Sequence, residues 1–385
     1  MNKPSVLVVT RNLPPLVGGM ERLIWHVVDT LRSHYTVHVV GPLGCRFSLS
    51  ADVHVVEVGA KSVLLFLLKA TLAALWSAIR HRPVIVFAGS GLLAPVVWPI
   101  ARITKSRCAV YLHGLDIQVA HTVYQTFWVP FFRYFDCVLV NSRFTKKLAL
   151  GVGVVPDRIQ IVHPGVELPN FADAAVRSQS FRSRHNLGQR PILLFVGRIT
   201  ERKGLACFVE HIFPFISLEV PDAVLLVLGG SPVDALQGGR NAIQRVETIL
   251  KENGLGKRTI FLGQCSDQEL GDAYFSANIL VFPVQESEFD IEGFGMVALE
   301  AAAHGLPTVA FAVGGIPDAV SNGCSGKLIP PGCNMSFVQA VVELLHENAG
   351  VEKVVRCRRF AQEFEWGNFG QKIIRLFRNL VRNEN

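Results

Sequence analysis

The chain is built from short, continuous apolar runs rich in β-branched residues, with helical patterns between them. Six such runs lie in the N-terminal half and six in the C-terminal half. Runs that are apolar throughout, rather than alternating, predict strands covered on both faces, as in a parallel sheet with crossover helices. The runs are residues 6–10, 36–40, 53–58, 84–89, 108–112 and 137–140, then 192–196, 223–228, 259–262, 279–282, 307–311 and 326–329.

The pattern breaks down between residues 165 and 191, where the sequence becomes polar and irregular. A chain of 385 residues is long for one domain and suits two. We therefore predict an α/β protein of two Rossmann-like, doubly wound parallel-sheet domains facing each other across a cleft. The predicted parts are an N-terminal domain over 1–168, a linker over 169–190, a C-terminal domain over 191–362 and a final helical segment over 363–385.

Half of the residues are hydrophobic, so a large core is expected and global disorder is excluded. The eight cysteines are scattered without a C-x-x-C pair, which indicates a reducing compartment and neither a disulfide framework nor a zinc site. The first residues run directly into a strand, so we expect no cleavable signal peptide and a cytoplasmic protein.

The positive charge is concentrated in one half of the chain. Residues 1–168 carry 17 Lys/Arg and 8 Asp/Glu, a net charge of +9, and the remainder carries 21 and 23, a net charge of −2. One interpretation is an anionic partner of the N-terminal half, such as a membrane surface or a phosphorylated acceptor. The other is a set of scattered, solvated cations. We expect no nucleic-acid partner.

Residues 62–79 form an apolar segment of 18 residues, interrupted by Lys69. A spanning helix needs about 20 apolar residues. The segment also leads through Pro83 into the run at 84–89, as a βαβ crossover helix does. We predict a buried crossover helix first, an interfacial helix second and a transmembrane span third.

Polar chemistry is concentrated between the runs at 279–282 and 307–311, in the sequence EGFGMVALE (residues 292–300). This spacing predicts a strand, a glycine-containing loop, a helix that begins near Gly295 and a second strand. Glycines let a ligand approach the backbone closely, and the free N–H groups of a helix N-terminus attract anions. Glu292 in the loop and Glu300 about one and a half turns into the helix are then expected to contact different parts of one elongated, phosphate-containing ligand.

Further candidates follow other strands. Arg198 and Lys203 come after the first C-terminal strand and predict a diphosphate clamp that stabilises negative charge on a departing group. In the N-terminal half, Gly18 and Gly19 form a flexible loop after the first strand. His113 and Asp116 follow the fifth strand and are ligand candidates. No G-x-G-x-x-G motif occurs in a dinucleotide-binding context.

Four segments together resemble glycosyltransferase family 4, a family of retaining, nucleotide-sugar-dependent enzymes with the two-domain GT-B fold. They are PPLVGGMER (14–22), GRITERKG (197–204), EGFGMVALEAAAHGLPTVAF (292–311) and GGIPDAV (314–320). They span nearly the whole chain in the expected order. The resemblance also implies that the final helix crosses back to the N-terminal domain.

The resemblance implies a role for each candidate. Arg198 and Lys203 hold the donor diphosphate, Glu292 contacts the donor sugar and Glu300 binds the ribose. The remaining donor contacts are expected from the start of the helix, from the loop that faces the base and from the other domain: Gly293, Phe294, Gly295, Met296 and Val297; Gly263; and Gly19 with His113. Gly18, His113 and Asp116 are candidates for acceptor binding. The candidates for a catalytic role are Glu292, His113, Arg198 and Lys203.

The predicted function is transfer of one sugar from a UDP- or GDP-sugar to a lipid-linked or polysaccharide acceptor. This is a reaction of cell-envelope glycan synthesis such as lipopolysaccharide synthesis, at the cytoplasmic face of the membrane. A sugar-nucleotide epimerase or hydrolase on the same fold, and a non-catalytic nucleotide-sugar-binding protein, are the alternatives. Asp290 and Glu292 resemble the D-x-D metal site of the GT-A fold, but we expect neither metal nor other cofactor.

Overall fold

The computed structural model describes residues 3–230, 238–287, 291–347 and 350–382. Its residues divide into two compact units. The first comprises residues 1–165 and 366–385, and the second comprises residues 166–365.

Thirteen strands are present in the described ranges, and every pair of neighbours is parallel. They are β1 (Ser5–Val9), β2 (Thr36–Pro42), β3 (His54–Val58), β4 (Ile85–Ala88), β5 (Arg107–Leu112), β6 (Cys137–Val140), β7 (Ile159–Ile161), β8 (Ile192–Val196), β9 (Val224–Leu228), β10 (Thr259–Gly263), β11 (Ile279–Phe282), β12 (Thr308–Phe311) and β13 (Gly326–Ile329).

Sixteen helices accompany them in the same ranges: α1 (Gly19–Arg32), α2 (Val63–His81), α3 (Ala94–Thr104), α4 (Leu115–Gln118), α5 (Thr122–Phe127), α6 (Arg143–Gly151), α7 (Ala174–Arg184), α8 (Leu205–His211), α9 (Phe213–Glu219), α10 (Gly238–Glu252), α11 (Asp267–Ser276), α12 (Met296–Ala303), α13 (Ile316–Ala319), α14 (Asn334–His346), α15 (Val351–Gln362) and α16 (Trp366–Arg382).

The first unit is a seven-stranded sheet in the order β3-β2-β1-β4-β5-β6-β7. Helices cover both faces, because alternate strand residues point to opposite sides and both sides are apolar. One core contains α2 and α3, and the other contains α1 and α16. Helix α16 buries Phe369, Ile373 and Phe377 in the second of these cores. The ring of Trp366 at its start stacks on His26 of α1, with 3.6 Å between the centroids.

Helix α2 is the crossover between β3 and β4, as predicted, but most of it is not buried. Its Phe66, Ala70, Ala74 and Ala78 pack on the sheet. By length and composition it is the one helix in the described ranges apolar enough to cross a membrane, and 28% of its 18-residue window is buried. The prediction of a buried helix is therefore correct for one face only.

The second unit is a six-stranded sheet in the order β10-β9-β8-β11-β12-β13. One continuous apolar core surrounds it on both faces. Two doubly wound parallel sheets confirm the predicted fold class. All twelve predicted strands are present, and β7 is an additional strand at the edge of the first sheet.

Residues 169–190, interpreted as a linker from their polar composition, instead form part of the second unit and contain α7. This helix buries only one residue, Phe181. Arg177 and Arg184 of α7 both contact Asp272 of α11, at 2.6 and 3.1 Å. The helix is thus attached by ion pairs to a residue far away in the sequence, which a reading of local composition cannot detect.

Candidate functional site

The strand order of the second unit reverses between β8 and β11. The crossovers from these two strands leave in opposite directions, so their carboxyl ends border the crevice in which open α/β sheets bind ligands. Lys203 lies on a short 3₁₀ turn (Glu201–Lys203) after β8. Glu292 lies in the loop after β11, before α12. The fold therefore brings together two of the predicted site residues that are 89 positions apart.

One carboxylate oxygen of Glu292 accepts hydrogen bonds from two neighbouring cationic side chains. Lys203 Nζ donates to Glu292 Oε2 at 2.7 Å, and Arg202 Nη1 donates to the same oxygen at 2.6 Å. The side chains of Arg202, Lys203 and Glu292 are 10%, 11% and 15% exposed. We call these three residues the charge cluster. The predicted sugar contact and the predicted phosphate contact are thus hydrogen-bonded to each other.

The charge cluster keeps Glu292 ionised and carries one net positive charge. Burial alone raises the pKa of a carboxyl group, but Lys203 and Arg202 outweigh that effect and hold the pKa of Glu292 below its usual value. The excess positive charge attracts an anionic ligand, and burial strengthens that attraction because water screens it less. The cluster can therefore bind a phosphate group without giving up the Glu292 charge.

The turn that carries Lys203 is fixed against the chain that follows β11. Gly204 has φ +74°, and a Cβ at this position would lie 1.8 Å from the carbonyl oxygen of Pro283. The N–H of Gln285 donates to the carbonyl of Arg202 at 2.8 Å. Only glycine allows this backbone approach.

The loop that carries Glu292 is fixed by the glycine pair of the GGIPDAV segment. The N–H of Gly315 donates to the carbonyl of Glu292 at 2.8 Å. A Cβ on Gly315 would lie 2.0 Å from the carbonyl oxygen of Gly293, and one on Gly314 would lie 2.5 Å from that of Glu292. Gly314 and Gly315 thus fix the backbone of Glu292, and the backbone in turn sets the position of the Glu292 carboxylate.

Helix α12 begins at Met296, as predicted, and Gly295 precedes it with φ +97° and ψ 53°. The first turn of a helix leaves N–H groups without intrahelical partners, here those of Met296 and Val297, whereas the N–H of Ala298 donates to the Gly295 carbonyl at 3.0 Å. The Phe294 side chain is buried in the core of the second unit. Backbone N–H groups at a helix start that follows glycines favour an anion, and this helix start comes directly after the loop that carries Glu292.

Glu300 lies on α12 and accepts a hydrogen bond from the hydroxyl of Tyr274 on α11, at 3.0 Å. The same hydroxyl lies 3.5 Å from the carbonyl oxygen of Val297. Tyr274 therefore fixes the orientation of the carboxylate that the sequence predicts at the ribose.

Arg198 is exposed and, within the described ranges, forms no hydrogen bond or ion pair. Its guanidinium is open to a ligand, in contrast to Lys203. Gly263 ends β10 with φ +70°, and its carbonyl accepts from the N–H of Gly229 at 2.7 Å. Apart from its chain neighbours, no atom of the described residues lies within 4 Å of a Cβ built on Gly263, so this part of the structure leaves space beside it for a ligand.

In the first unit, the strand order reverses between β1 and β4. Gly18 is the N-cap of α1 and Gly19 is its first residue. The buried Glu21 of the first turn accepts a hydrogen bond from Asn12 Nδ2 at 2.9 Å. The predicted glycine loop thus leads directly into α1, and the first turn of α1 contains the carboxylate of Glu21.

His113 and Asp116 follow β5 in the same unit and hydrogen-bond to each other. The N–H of His113 donates to Asp116 Oδ2 at 2.9 Å. The ring Nε2 of His113 lies 3.0 Å from the carbonyl oxygen of Gly89, and a carbonyl only accepts, so this nitrogen carries a proton. Asn141 Nδ2 donates to the His113 carbonyl at 3.2 Å. The histidine is held by the ends of three neighbouring strands.

No group of three or more His, Cys, Asp or Glu side chains in the described residues is placed to hold a metal ion. Asp290, the first residue of the D-x-D-like pattern, lies outside the described residues.

Sequence reasoning missed Arg202 and Tyr274. Arg202 adjoins Lys203 in a run of three charged residues, and nothing in that run shows which of them turns toward Glu292. Tyr274 lies in a helix whose other signals are those of core packing. Both acquire their roles only through the fold.

Two family models match the chain. The model described as Glycosyltransferase Family 4 matches residues 17–169, and the one described as Glycosyl transferases group 1 matches residues 190–347.

Among characterised relatives, a GDP-mannose-dependent alpha-(1-6)-phosphatidylinositol monomannoside mannosyltransferase of Mycolicibacterium smegmatis is 24% identical over 387 residues. That alignment covers 96% of this chain and 97% of the relative. A D-inositol 3-phosphate glycosyltransferase of Mycobacterium marinum is 31% identical over 253 residues, which cover 64% of this chain and 50% of that protein. The match to this second relative therefore spans only half of its length.

Solved structures with the same fold include a glycosyltransferase from Rickettsia africae, with a TM-score of 0.82, 18% identity and full coverage of both chains (100% each). Sucrose-phosphate synthase from Thermosynechococcus elongatus has a TM-score of 0.80 at 22% identity, covering 99% of this chain and 100% of that one. HepE from Anabaena in complex with UDP has a TM-score of 0.80 at 17% identity, covering 97% and 100%. At these identities the likeness shows the GT-B fold.

Proposed function

The chain belongs to glycosyltransferase family 4, and we propose that it moves one sugar from a UDP- or GDP-sugar to a lipid-linked or polysaccharide acceptor. The reaction belongs to cell-envelope glycan synthesis at the cytoplasmic face of a membrane. The family match makes the chain a transferase, and it does not favour an epimerase, a hydrolase or a non-catalytic binding protein.

The charge cluster at the strand reversal of the second unit carries this proposal. It places a carboxylate, two cations and the start of α12 at one carboxyl edge. A nucleotide-sugar needs these three elements together: cations and helix N–H groups for the diphosphate, and a carboxylate for sugar hydroxyls.

Each residue has a proposed role toward the donor. Arg198 and Lys203 bind the diphosphate and stabilise its charge as it departs. The backbone of Gly293, Phe294, Gly295, Met296 and Val297 binds phosphate and sugar. Glu292 orients the sugar, Glu300 binds the ribose with Tyr274 holding it, and the open space beside Gly263 receives the base. In the first unit, Gly19 and His113 are proposed to contact the sugar, and Gly18, His113 and Asp116 the acceptor.

We propose that the anomeric configuration is retained through a same-face displacement, in which the donor phosphate helps to take the acceptor proton. Glu292 is engaged by two cations through one oxygen, so its role is to orient the sugar rather than to attack it. The two cations already supply the charge stabilisation that a metal supplies in other enzymes. The rate of transfer is therefore expected to be unchanged in EDTA.

The relatives support the donor and acceptor classes. The full-length relative is named for a GDP-mannose donor and a phosphatidylinositol-linked acceptor, and HepE was solved with UDP. GDP-mannose is accordingly the first donor to assay, with UDP-sugars second.

The test is thermal stabilisation by UDP, GDP, their sugar conjugates and NAD, followed by turnover of the donor that binds. A ligand at a hundred times its dissociation constant adds about 2.7 kcal/mol of stability. We expect a shift with one base, lost in Arg198→Ala and kept in the matched surface variant Arg356→Ala on α15. A shift with NAD alone, or with no nucleotide, contradicts the proposal.

A further inference from the structure

Helix α2 has a second apolar face that nothing in the described residues covers. Leu64, Leu68, Leu72, Trp76 and Ile79 are 76%, 60%, 64%, 58% and 58% exposed. At 100° per residue these five side chains lie within about 120° of one another, opposite the face packed on the sheet. We call them the α2 apolar face. It extends along about 22 Å of helix, since each residue adds about 1.5 Å.

This face is not required by the fold. The helix packs on the sheet through Phe66 and three alanines, so the α2–sheet interface is complete without the five exposed side chains. An ordinary surface crossover helix carries polar residues on its outer side. A contiguous exposed apolar surface on a folded unit instead indicates a binding partner with an apolar surface of its own.

The charge around this face indicates what that partner is. No Asp or Glu occurs between Glu57 and Asp116, a segment that contains both α2 and α3. The same segment contains seven cations: Lys61, Lys69, Arg80, Arg82, Arg102, Lys105 and Arg107.

Two of these cations border the α2 apolar face directly. On the helical surface Lys69 and Arg80 both lie next to Trp76, along one edge of the α2 apolar face. Both are exposed. The guanidinium carbon of Arg80 lies 5.6 Å from the centroid of the Trp76 ring. Tryptophan beside arginine is the pairing of an interfacial helix, because each side chain has an apolar body and a polar or charged end.

We propose that the α2 apolar face docks the first unit onto an anionic lipid bilayer, with the helix lying in the plane of the interface. The inference rests on the proposed function in one respect, since a lipid-linked acceptor lies in a membrane whose surface the enzyme must reach. Leu64, Leu68, Leu72, Trp76 and Ile79 enter the boundary between headgroups and acyl chains, and Lys69 and Arg80 contact anionic headgroups. The helix does not span the bilayer, because its opposite face is packed on the sheet.

A second copy of the chain fits this surface less well. Two copies meeting through α2 would bring Lys69, Arg80 and the neighbouring cations of each copy together, with no acidic residue in the segment to offset the repulsion. An anionic lipid surface offers both the apolar layer and the opposite charge.

The test is flotation of the full chain with vesicles, in the absence of donor and acceptor. Vesicles of phosphatidylcholine alone are compared with vesicles that also contain phosphatidylglycerol. We expect binding to the anionic vesicles that weakens as salt is raised. The variant Leu68→Gln/Leu72→Gln/Trp76→Gln is expected to lower partitioning on the order of tenfold or more. Lys69→Gln and Arg80→Gln are each expected to lower it about fivefold.

The matched control is Arg375→Gln/Arg378→Gln on α16, which covers the opposite face of the same sheet. It removes as much charge as Lys69→Gln/Arg80→Gln, from exposed positions. We expect it to bind vesicles as the wild type does. Equal loss in both double variants would show that total charge alone drives binding, which overturns the proposal.

A second measurement covers the case in which the triple variant does not fold. Tryptophan emission of the wild type should shift to the blue on addition of anionic vesicles. Trp76→Phe should still float with them but lose that shift. An unchanged shift in Trp76→Phe, no flotation of the wild type, or a dimer in light scattering that the triple variant abolishes would each overturn the proposal.

The two proposals can fail separately. Vesicle binding is measured without a nucleotide, so failure to transfer sugar leaves it untouched. Thermal stabilisation by UDP or GDP is measured without lipid, so failure to bind vesicles leaves the donor site untouched.

Discussion

In the first unit the strand order reverses between β1 and β4, and in the second it reverses between β8 and β11. Each reversal creates the same kind of crevice at the carboxyl edge of its own sheet, but the groups that lie there differ. Around the first, the His113 ring is hydrogen-bonded to the Gly89 carbonyl, and Asp116 accepts from a backbone N–H. At the second, Arg202 and Lys203 converge on one oxygen of Glu292.

The difference shows that topology provides a location and side chains provide the chemistry. Hydrogen bonds to the backbone hold His113 and Asp116 in place. The charge cluster instead depends on its own completeness, because removing one partner of a buried ion pair leaves the other uncompensated. We therefore expect substitutions at the second reversal to have the larger effects on both activity and stability.

The largest effect is expected from Lys203→Ala. It removes a cation from the diphosphate site and leaves Glu292 with Arg202 alone, so kcat should fall about 10²–10³-fold, as for loss of one transition-state donor. Steady-state kinetics with the donor identified by thermal shift measures it. The control Lys257→Ala, at an exposed position of the same unit, should stay within about twofold of the wild type. A Lys203→Ala enzyme as active as that control would remove the cluster from the mechanism.

The next effect concerns the backbone that holds the cluster. Gly204→Ala should lower the free energy of unfolding by at least about 3 kcal/mol, because the Cβ would lie 1.8 Å from a backbone oxygen at φ +74°. Gly254→Ala is the matched control, since its φ is +69° and no atom from elsewhere in the described ranges lies within 4 Å of the Cβ. It should cost about 1–2 kcal/mol. The difference between the two variants in urea unfolding gives the part of the destabilisation that comes from the steric clash at residue 204.

The equivalent glycine of the first unit sharpens this comparison. A Cβ on Gly18 would meet the end of the Glu21 side chain at 2.4 Å, and Gly18 itself is extended at φ 165°. A side chain can move where a carbonyl cannot, so Gly18→Ala should cost about 1 kcal/mol or less. A cost equal to that of Gly204→Ala would mean that the first reversal is as rigid as the second.

The pH dependence of stability should also separate the two reversals. The pKa of Glu292 is held below its ordinary value of 4.5, so its ion pairs stabilise the fold above that pH, and this stabilisation is lost as pH falls through the lowered pKa. Glu292→Gln should unfold more easily than wild type at neutral pH, and the gap should narrow in acid. Urea unfolding at a series of pH values measures it.

Glu219→Gln, at an exposed position of the same unit, is the control for loss of one carboxyl group. Its stability should follow that of the wild type across the same pH range. A Glu292→Gln curve that also runs parallel to the wild type would mean that the cluster contributes no net stability.

Most of the fold could be predicted because buried parallel strands are apolar throughout. The same criterion overlooks β7, which has only three residues, one of them Gln160. It also overlooks α7, a polar helix attached through Asp272 rather than by an apolar face. Edge strands and ion-paired helices are stabilised by residues that are distant in the sequence, so local composition does not reveal them.

The candidate site could be predicted as a set of residues but not as an arrangement. The sequence places Glu292 and Lys203 each at the end of a strand, and the glycines mark where the backbone must come close. It does not show that β8 and β11 are neighbours, which is why the contact between the two side chains and the participation of Arg202 were not foreseen. The role of Gly314 and Gly315 likewise depends on a contact between separate loops.

The smallest effect is expected at Asp116, the acceptor-binding candidate of the first unit. Its Oδ2 accepts the N–H of His113, so Asp116→Ala should lower the free energy of unfolding by about 1 kcal/mol. Asp116→Asn keeps an acceptor oxygen and should remain close to the wild type. Because Asp116 is a proposed acceptor contact, we expect Asp116→Asn to raise KM for the acceptor severalfold while leaving the stability unaltered. An unchanged acceptor KM would instead show that the hydrogen bond to His113 accounts for the side chain, and Asp116 would then have no part in binding the acceptor.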